Sequence, residues 1–361
     1  MLTVRALPLR DRGGNALLRV YHDGLVRHWT PAQHLAGHML AVLGRGGWTP
    51  AERLYLGDAV RGQGLSMRDR KGLHRLLNPA AFPLATNPLK NKQLFARAAS
   101  GLPLPDACDP DRQDLDAWLT GQDDIIAKPS YRSKGQGVER FVREGTGWRG
   151  GDQGMDAGQL AAHLRRVWRQ GGVIQQRLPT HGALADLSPG ALPTLRIVTC
   201  LNEQGEPEIC DTALRLSAGG PRPVDNFNAG NLVLAVDGAG RCGPAWRSGG
   251  KRPPSRHTSH PVTGGAIEGA LLPDHAAAQA LAIRAHDRFR EGFTLIGWDI
   301  GLTAQGPVLI EGNWNPGTDI VQLVNGRGLA DSRLGVLYGH ALSRLPAADW
   351  RAARVVQRDR R

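Results

Sequence analysis

Three oxygen-bearing side chains, Asp299, Glu311 and Asn313, are spaced so that one short hairpin would gather them. They lie in the stretch Ile296 to Gly317, IGWDIGLTAQGPVLIEGNWNPG. Leu295 to Leu302 is apolar except for Asp299, Ala304-Gln305-Gly306-Pro307 reads as a reversing turn, and Val308 to Ile310 leads into Glu311 and Asn313. Two strands joined this tightly pair antiparallel. Asp299 and Glu311 can then sit side by side, and Glu311 and Asn313, two apart, point to one face. Hard cations such as Mg²⁺ prefer such oxygen donors and usually share them with substrate phosphates. A lone carboxylate would read as charge on an exposed strand. Here Asp299 interrupts an apolar strand, where a carboxylate is costly unless paired or metal-bound.

A second constellation could hold phosphates. Asp123 to Lys128 reads as a strand ended by Pro129, and Val138 to Arg143 as the next strand. Between them runs a small polar loop that includes Ser133, Lys134, Gly135 and Gly137. Such a hairpin can fold over a triphosphate, its backbone N–H groups and Lys128 contacting the anion and its glycines allowing close approach. Taken alone, it also reads as a plain hairpin with a solvated lysine. Other nucleotide and nucleophile motifs are excluded. There is no G-x-x-x-x-G-K-[ST] and no G-x-S-x-G. Gly145 to Gly150 fits G-x-G-x-x-G, but more Gly and Asp follow where a helix should open, so a hairpin turn is expected. His34 and His38, one helical turn apart, lack an accompanying acid and read as packing or surface residues. Cys108, Cys200, Cys210 and Cys242 form no C-x-x-C pair, which argues against zinc and redox motifs and fits a reduced, cytoplasmic compartment.

The elements that must position these groups can be read along the chain. Residues 1–85 are expected to be mostly helical, with capping boxes at Thr30-Pro31-Ala32-Gln33 and Thr49-Pro50-Ala51-Glu52. Residues 86–178 read as mixed α/β: a helix from Lys92 to Ala99, the Lys128 hairpin, a helix from Ala157 to Gln170, and a strand from Val173 to Leu178. In residues 179–345 strands dominate, at Thr194 to Leu201, Glu208 to Leu216 and Leu232 to Val236. A helix from Asp274 to Arg290 precedes the carboxylate hairpin. Arg241 to Gly265, rich in Gly, Pro, Ser and Arg, reads as a surface loop or substrate-facing flap, and residues 346–361 as a frayed basic tail.

The 361 residues, 41% hydrophobic, suffice for two or three modest domains or one large enzyme fold. No long apolar run predicts a membrane span, and arginines within the N-terminal apolar stretch argue against a signal peptide. The net charge of +12 suits anionic partners, yet arginines are scattered and aromatics make up only 5%, so nucleic acid is not expected.

In combination the motifs resemble the ATP-grasp superfamily over about residues 86–340. Asn91-Lys92 resembles its first lysine motif with Asn in place of Asp, and Ala127-Lys128-Pro129 its second. Gly172 to Leu178, GVIQQRL, resembles the hinge strand that binds adenine, with Gln175 where an acid is common. Leu195-Arg196-Ile197-Val198 resembles the L-R-x-x-V strand, and Asp299, Glu311 and Asn313 the metal triad. Longer stretches, among them QQRLPTHGALADLSPGALPTLRIVT and ALRLSAGGPRPVDNFNAGN, look like the sugar-transfer-associated branch, which is related to α-L-glutamate ligase-like proteins. The resemblance implies an α+β fold of two lobes gripping ATP. It implies ATP contacts at Lys92, Lys128, the glycine loop, Gln175, Gln176, Leu178 and His181. It implies two Mg²⁺ ions, with Mn²⁺ as a substitute, at Asp299, Glu311 and Asn313. The implied activity is a carboxylate–amine ligase working through an acyl phosphate on a small or saccharide-linked acid, in polysaccharide or cell-envelope biosynthesis. A phosphotransferase and a nucleotide-binding scaffold associated with glycosyltransferases or a membrane surface stay open as alternatives. Arg196 and Arg215 are candidates for holding a phosphate or carboxylate, or for structural salt bridges. Asp225, Asn226 and Asn228 would border the substrate or form an ordinary turn, and His260 would line the acceptor pocket or order its loop.

Overall fold

The computed structural model describes residues 15–32, 47–130, 137–219 and 227–352. Gln33, His34, His38, Ser133, Lys134, Gly135, Asp225, Asn226, the side chain of Asn228, and Arg354, Arg358, Arg360 and Arg361 lie outside the described residues.

The expected helical start is present. Helix α1 (Ala16–His28) is capped by the Asn15 side chain, which accepts from the Leu18 N–H. Helix α2 (Pro50–Tyr55) opens on the expected capping box, Thr49 with Glu52, and α3 (Asp58–Gly62) follows. Helix α4 (Met67–Leu77) is capped by Ser66. These caps satisfy N–H groups that a helix start otherwise leaves without partners.

A small sheet comes next. Helix α5 (Lys92–Ala98) leads to β1 (Ala107–Cys108), α6 (Leu115–Thr120), β2 (Asp124–Lys128) and β3 (Glu139–Glu144). Then come β4 (Gly147–Gly150), β5 (Gln153–Met155), α7 (Ala157–Arg169) and β6 (Val173–Gln176). The strands pair antiparallel in the order β1-β6-β2-β3-β4-β5. Gly145 turns the β3–β4 hairpin at φ +58°, so the G-x-G-x-x-G match is a hairpin turn. Leu160, Leu164 and Trp168 of α7 pack on Ile125, Ala127 and Ile174.

The large sheet contains β7 (Thr194–Leu201), β8 (Pro207–Leu216), β9 (Leu232–Ala235), β10 (Ala245–Gly249), β11 (Arg252–His257) and, after α8 (His275–Phe289), β12 (Leu295–Thr303) and β13 (Gly306–Asn313). Its antiparallel order is β11-β10-β9-β8-β7-β12-β13. Helices α9 (Thr318–Asn325), α10 (Arg333–Ser343) and α11 (Ala347–Ala352) close the described chain. The class is α+β, as expected.

The two faces of this sheet differ because alternate residues point oppositely. Leu195, Ile197, Leu214, Leu216, Trp298 and Ile300 join the core that contains Leu281, Ala285 and Phe289 of α8. On the other face, Val198, Cys200 and Leu295 pack with Leu17, Tyr21, Leu73, Leu77, Leu337 and Tyr338 of α1, α4 and α10. Ala213 and Val233 pack with Leu56, Phe227 and Leu323. The N-terminal helices and α9–α10 therefore roof this face at two places, and Arg196, Arg215 and Asp299 share it.

Three expectations change. Arg241 to Gly265 is not a loop throughout, since β10 and β11 form a hairpin with Ala245 opposite His257. Pro253 and Pro254 hid it from the sequence, but β11 is an edge strand, where proline is tolerated. Helices α9 and α10 occupy part of the region read as strand-dominated. The expected basic tail begins as α11, whose buried Trp350 lies against Tyr21 and would collide with any side chain at Gly24. Among the described residues, no helix is long and apolar enough to cross a membrane.

Asp211 on β8 supplies a test of this packing. Its Oδ1 accepts from Asn325 Nδ2 at 3.0 Å and lies 3.9 Å from Arg327, while Oδ2 has no hydrogen-bond partner among the described residues. Burial pushes its carboxyl up to about 6, with Arg327 and Asn325 opposing. A folded pKa above the unfolded one means that stability declines as pH rises from about 4 to 6 and is level above that. Asp211→Asn keeps the oxygen that Asn325 uses. It is expected to exceed the wild type in stability by about 1–3 kcal/mol at pH 7.5, with the gap closing towards pH 4. Urea unfolding at a series of pH values measures this, and a pH-independent gap would show that Asp211 does not titrate there.

Candidate functional site

The hairpin has the expected register. Asp299 on β12 lies opposite Glu311 on β13 and, on its other side, opposite Arg196 on β7. A bulge follows Asp299. Arg196 donates from Nε to Asp299 Oδ1 at 2.5 Å and from Nη2 to Oδ2 at 3.0 Å. Arg215 on β8 adds a bond from Nη2 to Oδ2 at 3.1 Å, while also donating to Thr194 Oγ1 at 2.8 and 3.0 Å. The carboxylate, in a residue only 3% exposed, is thus held by one bidentate fork and one further guanidinium. The salt-bridge reading of both arginines is realised, and their common partner is Asp299.

Glycine makes the close approach feasible. A Cβ on Gly297 would come within 2.5 Å of Pro316 Cβ and 3.5 Å of Arg196 Cδ. The bare Cα lets the segment after Asn313 fold back beside the fork.

Burial alone would push the Asp299 carboxyl up, but Arg196 and Arg215 outweigh it and hold the group below the usual carboxylate range. The register sets the Glu311 carboxyl beside it on the same face, and Asn313 Nδ2 donates to Glu311 Oε1 at 3.4 Å. Asp299, Glu311 and Asn313 therefore adjoin one another. Two adjoining carboxylates and an amide oxygen form an all-oxygen donor set, which fits Mg²⁺ in its chemistry. Among the described residues there is no group of three or more His, Cys, Asp or Glu side chains able to hold a metal. A cation here would thus lean on oxygens from a bound substrate, as Mg²⁺ commonly does at phosphates.

The other expected residues are distributed as follows. Lys92 is the first residue of α5 and Lys128 the last of β2. Gln93, next to Lys92, donates to the carbonyls of Trp168 and Gly172 at 2.9 Å, tying α5 to the start of the hinge strand. Gly137 has φ +72° where the glycine loop rejoins the described chain. Gln175 is buried, opposite Ile126 on one side and Ala107 on the other. The N–H groups of Gln176 and Arg177 are taken by the carbonyls of Asp106 and Asp124. Leu178 lies just beyond β6. His181 Nδ1 accepts from the Ala183 N–H. His260 is buried, with Nε2 2.8 Å from the Ser217 carbonyl and Nδ1 accepting from the N–H groups of Val262 and Thr263. Both ring nitrogens serve the backbone, so His260 orders its loop and offers a substrate no free nitrogen.

Sequence reading missed the residues that anchor the hairpin from α4. Asn78 donates to the carbonyls of Leu295 (2.9 Å) and Trp314 (2.6 Å) and accepts from the Leu295 N–H (3.1 Å). His74 lies between Asn315 Oδ1 (3.0 Å) and the Tyr338 hydroxyl (2.8 Å). Burial and the nearby Arg70 charge push His74 well below its usual pKa against the opposing pull of Asn315, so the ring is neutral. Nδ1–H then donates to Asn315, and Nε2 accepts from Tyr338. The available signal was polar residues set into the apolar stripe of LHRLLN.

Comparison with known proteins places this geometry. The sequence model of the family described as "Sugar-transfer associated ATP-grasp" matches residues 70–335. No curated protein matches the sequence. Among solved structures, an L-amino acid ligase from Bacillus licheniformis is similar at 13% identity and TM-score 0.39, over 72% of this chain and 49% of that one. A D-alanine-D-alanine ligase from Helicobacter pylori gives 14% and 0.40, over 73% and 63%. An N5-carboxyaminoimidazole ribonucleotide synthetase from Thermotoga maritima gives 13% and 0.38, over 77% and 56%. The chain spans about half the length of the L-amino acid ligase. Similarities this remote fix neither substrate nor reaction.

The ion cluster predicts unequal effects of removing its two charges. Asp299→Asn leaves two largely buried guanidiniums without their anion and is expected to cost about 2–4 kcal/mol in urea unfolding. Glu311→Gln removes one of two adjoining carboxylates and is expected to stay within about 0.5 kcal/mol of the wild type or to stabilise. Equal losses in the two variants would contradict the assignment of the arginine clamp to Asp299.

Proposed function

We propose that this chain, which belongs to the sugar-transfer associated ATP-grasp family, is an ATP- and Mg²⁺-dependent ligase that joins a carboxylate to an amine or related nucleophile through an acyl phosphate. The observation that carries the reading is the Asp299–Glu311 pair, adjoined by Asn313 and clamped by Arg196 and Arg215.

Lys92 and Lys128 contribute positive charge for the nucleotide phosphates. Leu178 donates its backbone N–H to the adenine edge, since those of Gln176 and Arg177 are already engaged. Asp299, Glu311 and Asn313 hold Mg²⁺, which when bound offsets charge on the transferring phosphoryl group, as Mn²⁺ also can. Arg196 and Arg215, whose forks are engaged with Asp299 and Thr194, keep the Asp299 carboxylate in place and lend positive charge to the side of the site where the acid meets the γ-phosphate. A carboxylate oxygen bonds to the γ-phosphorus as the bond to the β-phosphate oxygen breaks, releasing ADP. The nucleophile then attacks the acyl carbon, loses a proton, and expels phosphate. The acid is small or saccharide-linked, and the setting is polysaccharide or cell-envelope biosynthesis in the cytoplasm, alongside glycosyltransferases. The saccharide setting rests on the family description and the sequence resemblance, and the cytoplasmic one on the cysteine pattern.

An acyl phosphate can be intercepted. With ATP, Mg²⁺ and a panel of amino acids and sugar acids, the accepted acid is expected to give ADP and phosphate in equal amounts. Added hydroxylamine should convert it to a hydroxamate. Glu311→Gln should lower turnover on the order of 10²-fold. A stable phosphoester formed with ADP and no hydroxamate would make the protein a phosphotransferase. Absence of acid-dependent ADP would leave a nucleotide-binding scaffold.

A further inference from the structure

Arg70 lies outside the ion cluster and has no role in the mechanism above. It is on α4, one turn before His74, in the N-terminal helical region. The residue is only 8% exposed, and its Nε has no hydrogen-bond partner among the described residues. Its nearest carboxylate, Asp319 at the start of α9, is 3.8 Å from Nη1, beyond hydrogen-bonding distance. A buried guanidinium held this loosely is costly, because Arg loses water and gains little in return.

Its surroundings are those of a binding group. A Cβ on Gly317 would come within 2.9 Å of Asp319 Oδ1 and 3.4 Å of Arg70 Nη1, so the bare glycine lies against both charged groups. Thr318, between Gly317 and Asp319, is 2% exposed, and its hydroxyl has no hydrogen-bond partner among the described residues. Pro316, next to Gly317, packs against Gly297 on the side where Arg196 Cδ lies, so the segment that meets Arg70 also meets the clamp. Two incompletely used donors, Arg70 and Thr318, thus lie under the roof beside the clamp that holds Asp299.

We propose that Arg70, with the Thr318 hydroxyl, binds an anionic oxygen group of the substrate, a carboxylate or phosphate distinct from the carboxylate that reacts. The substrate is then at least dianionic, and the N-terminal helical region helps to select it. This assignment of substrate class rests on the ligase reading. The anion site itself does not depend on it.

Isothermal titration of the full chain with inorganic phosphate and with malonate tests the site, with Mg²⁺ and a non-hydrolysable ATP analogue present to fill the nucleotide site. At least one probe is expected to bind the wild type. Arg70→Gln should weaken it about tenfold or more, and Arg70→Lys, which keeps the charge but not the fork, by less. Affinity for the analogue should stay within about twofold. Thr318→Val serves as a second variant should Arg70→Gln fold poorly, and is expected to weaken the same probe about threefold or more. A purely structural Arg70 would lower the melting temperature without changing probe affinity. Failure of both probes to bind the wild type, or unchanged binding in the variants, overturns the proposal. If the analogue does not bind, the ligase reading falls, while titration without nucleotide still decides the role of Arg70.

Discussion

The site depends on a charge problem at Asp299. A carboxylate that is 3% exposed, on the strand next to the edge of a seven-stranded sheet, cannot stay ionised without nearby positive charge. Arg196 and Arg215 supply it from the adjoining strands, and β-sheet alternation brings all three side chains to one face. Glu311, opposite Asp299 on β13, then places a second carboxylate beside the first. Burial, two guanidiniums and an adjoining anion leave this cluster responsive to any further ion. Any cation or anion added there would act on the same bonds.

The surrounding packing keeps that cluster in place. The opposite face is sealed by α8 around Trp298, whose indole N–H donates to Thr199 Oγ1 at 2.9 Å. The site face is covered on two flanks, around Tyr338 and around Leu56. The segment after Asn313 is tied down by Asn78 and His74, so the donor set has support from both its strand partners and the roof. Precise first contacts of this kind need such second contacts to keep their geometry.

Much of this was legible in the sequence. The 299–313 hairpin, its register, the Thr49 capping box and the strand from Thr194 to Leu201 all follow from short-range pattern. What local pattern missed has two causes. The β10–β11 hairpin was masked by Pro253 and Pro254, which tell against strand except at an edge. The contacts of Asn78 with Leu295 and His74 with Tyr338 join residues remote in sequence, so no spacing rule could pair them. The Arg196–Asp299 bond is intermediate: both residues stood out alone, but only the register of β7 against β12 joins them.

The roof over the site is built from both ends of the described chain, with α1 and α4 meeting α10 and α11. During synthesis the small sheet, whose strands all lie between residues 107 and 176, can assemble while later segments are still being made. The large sheet cannot pair the second edge of β7 until β12 emerges, and the cover over the Arg196 face stays incomplete until α10 follows. Contacts of such long range are slow to form, because loop closure precedes any gain in burial. A chain that has reached only β11 therefore carries α1 and α4 without the α10 they pack against, and Arg196 and Arg215 without the carboxylate they hold.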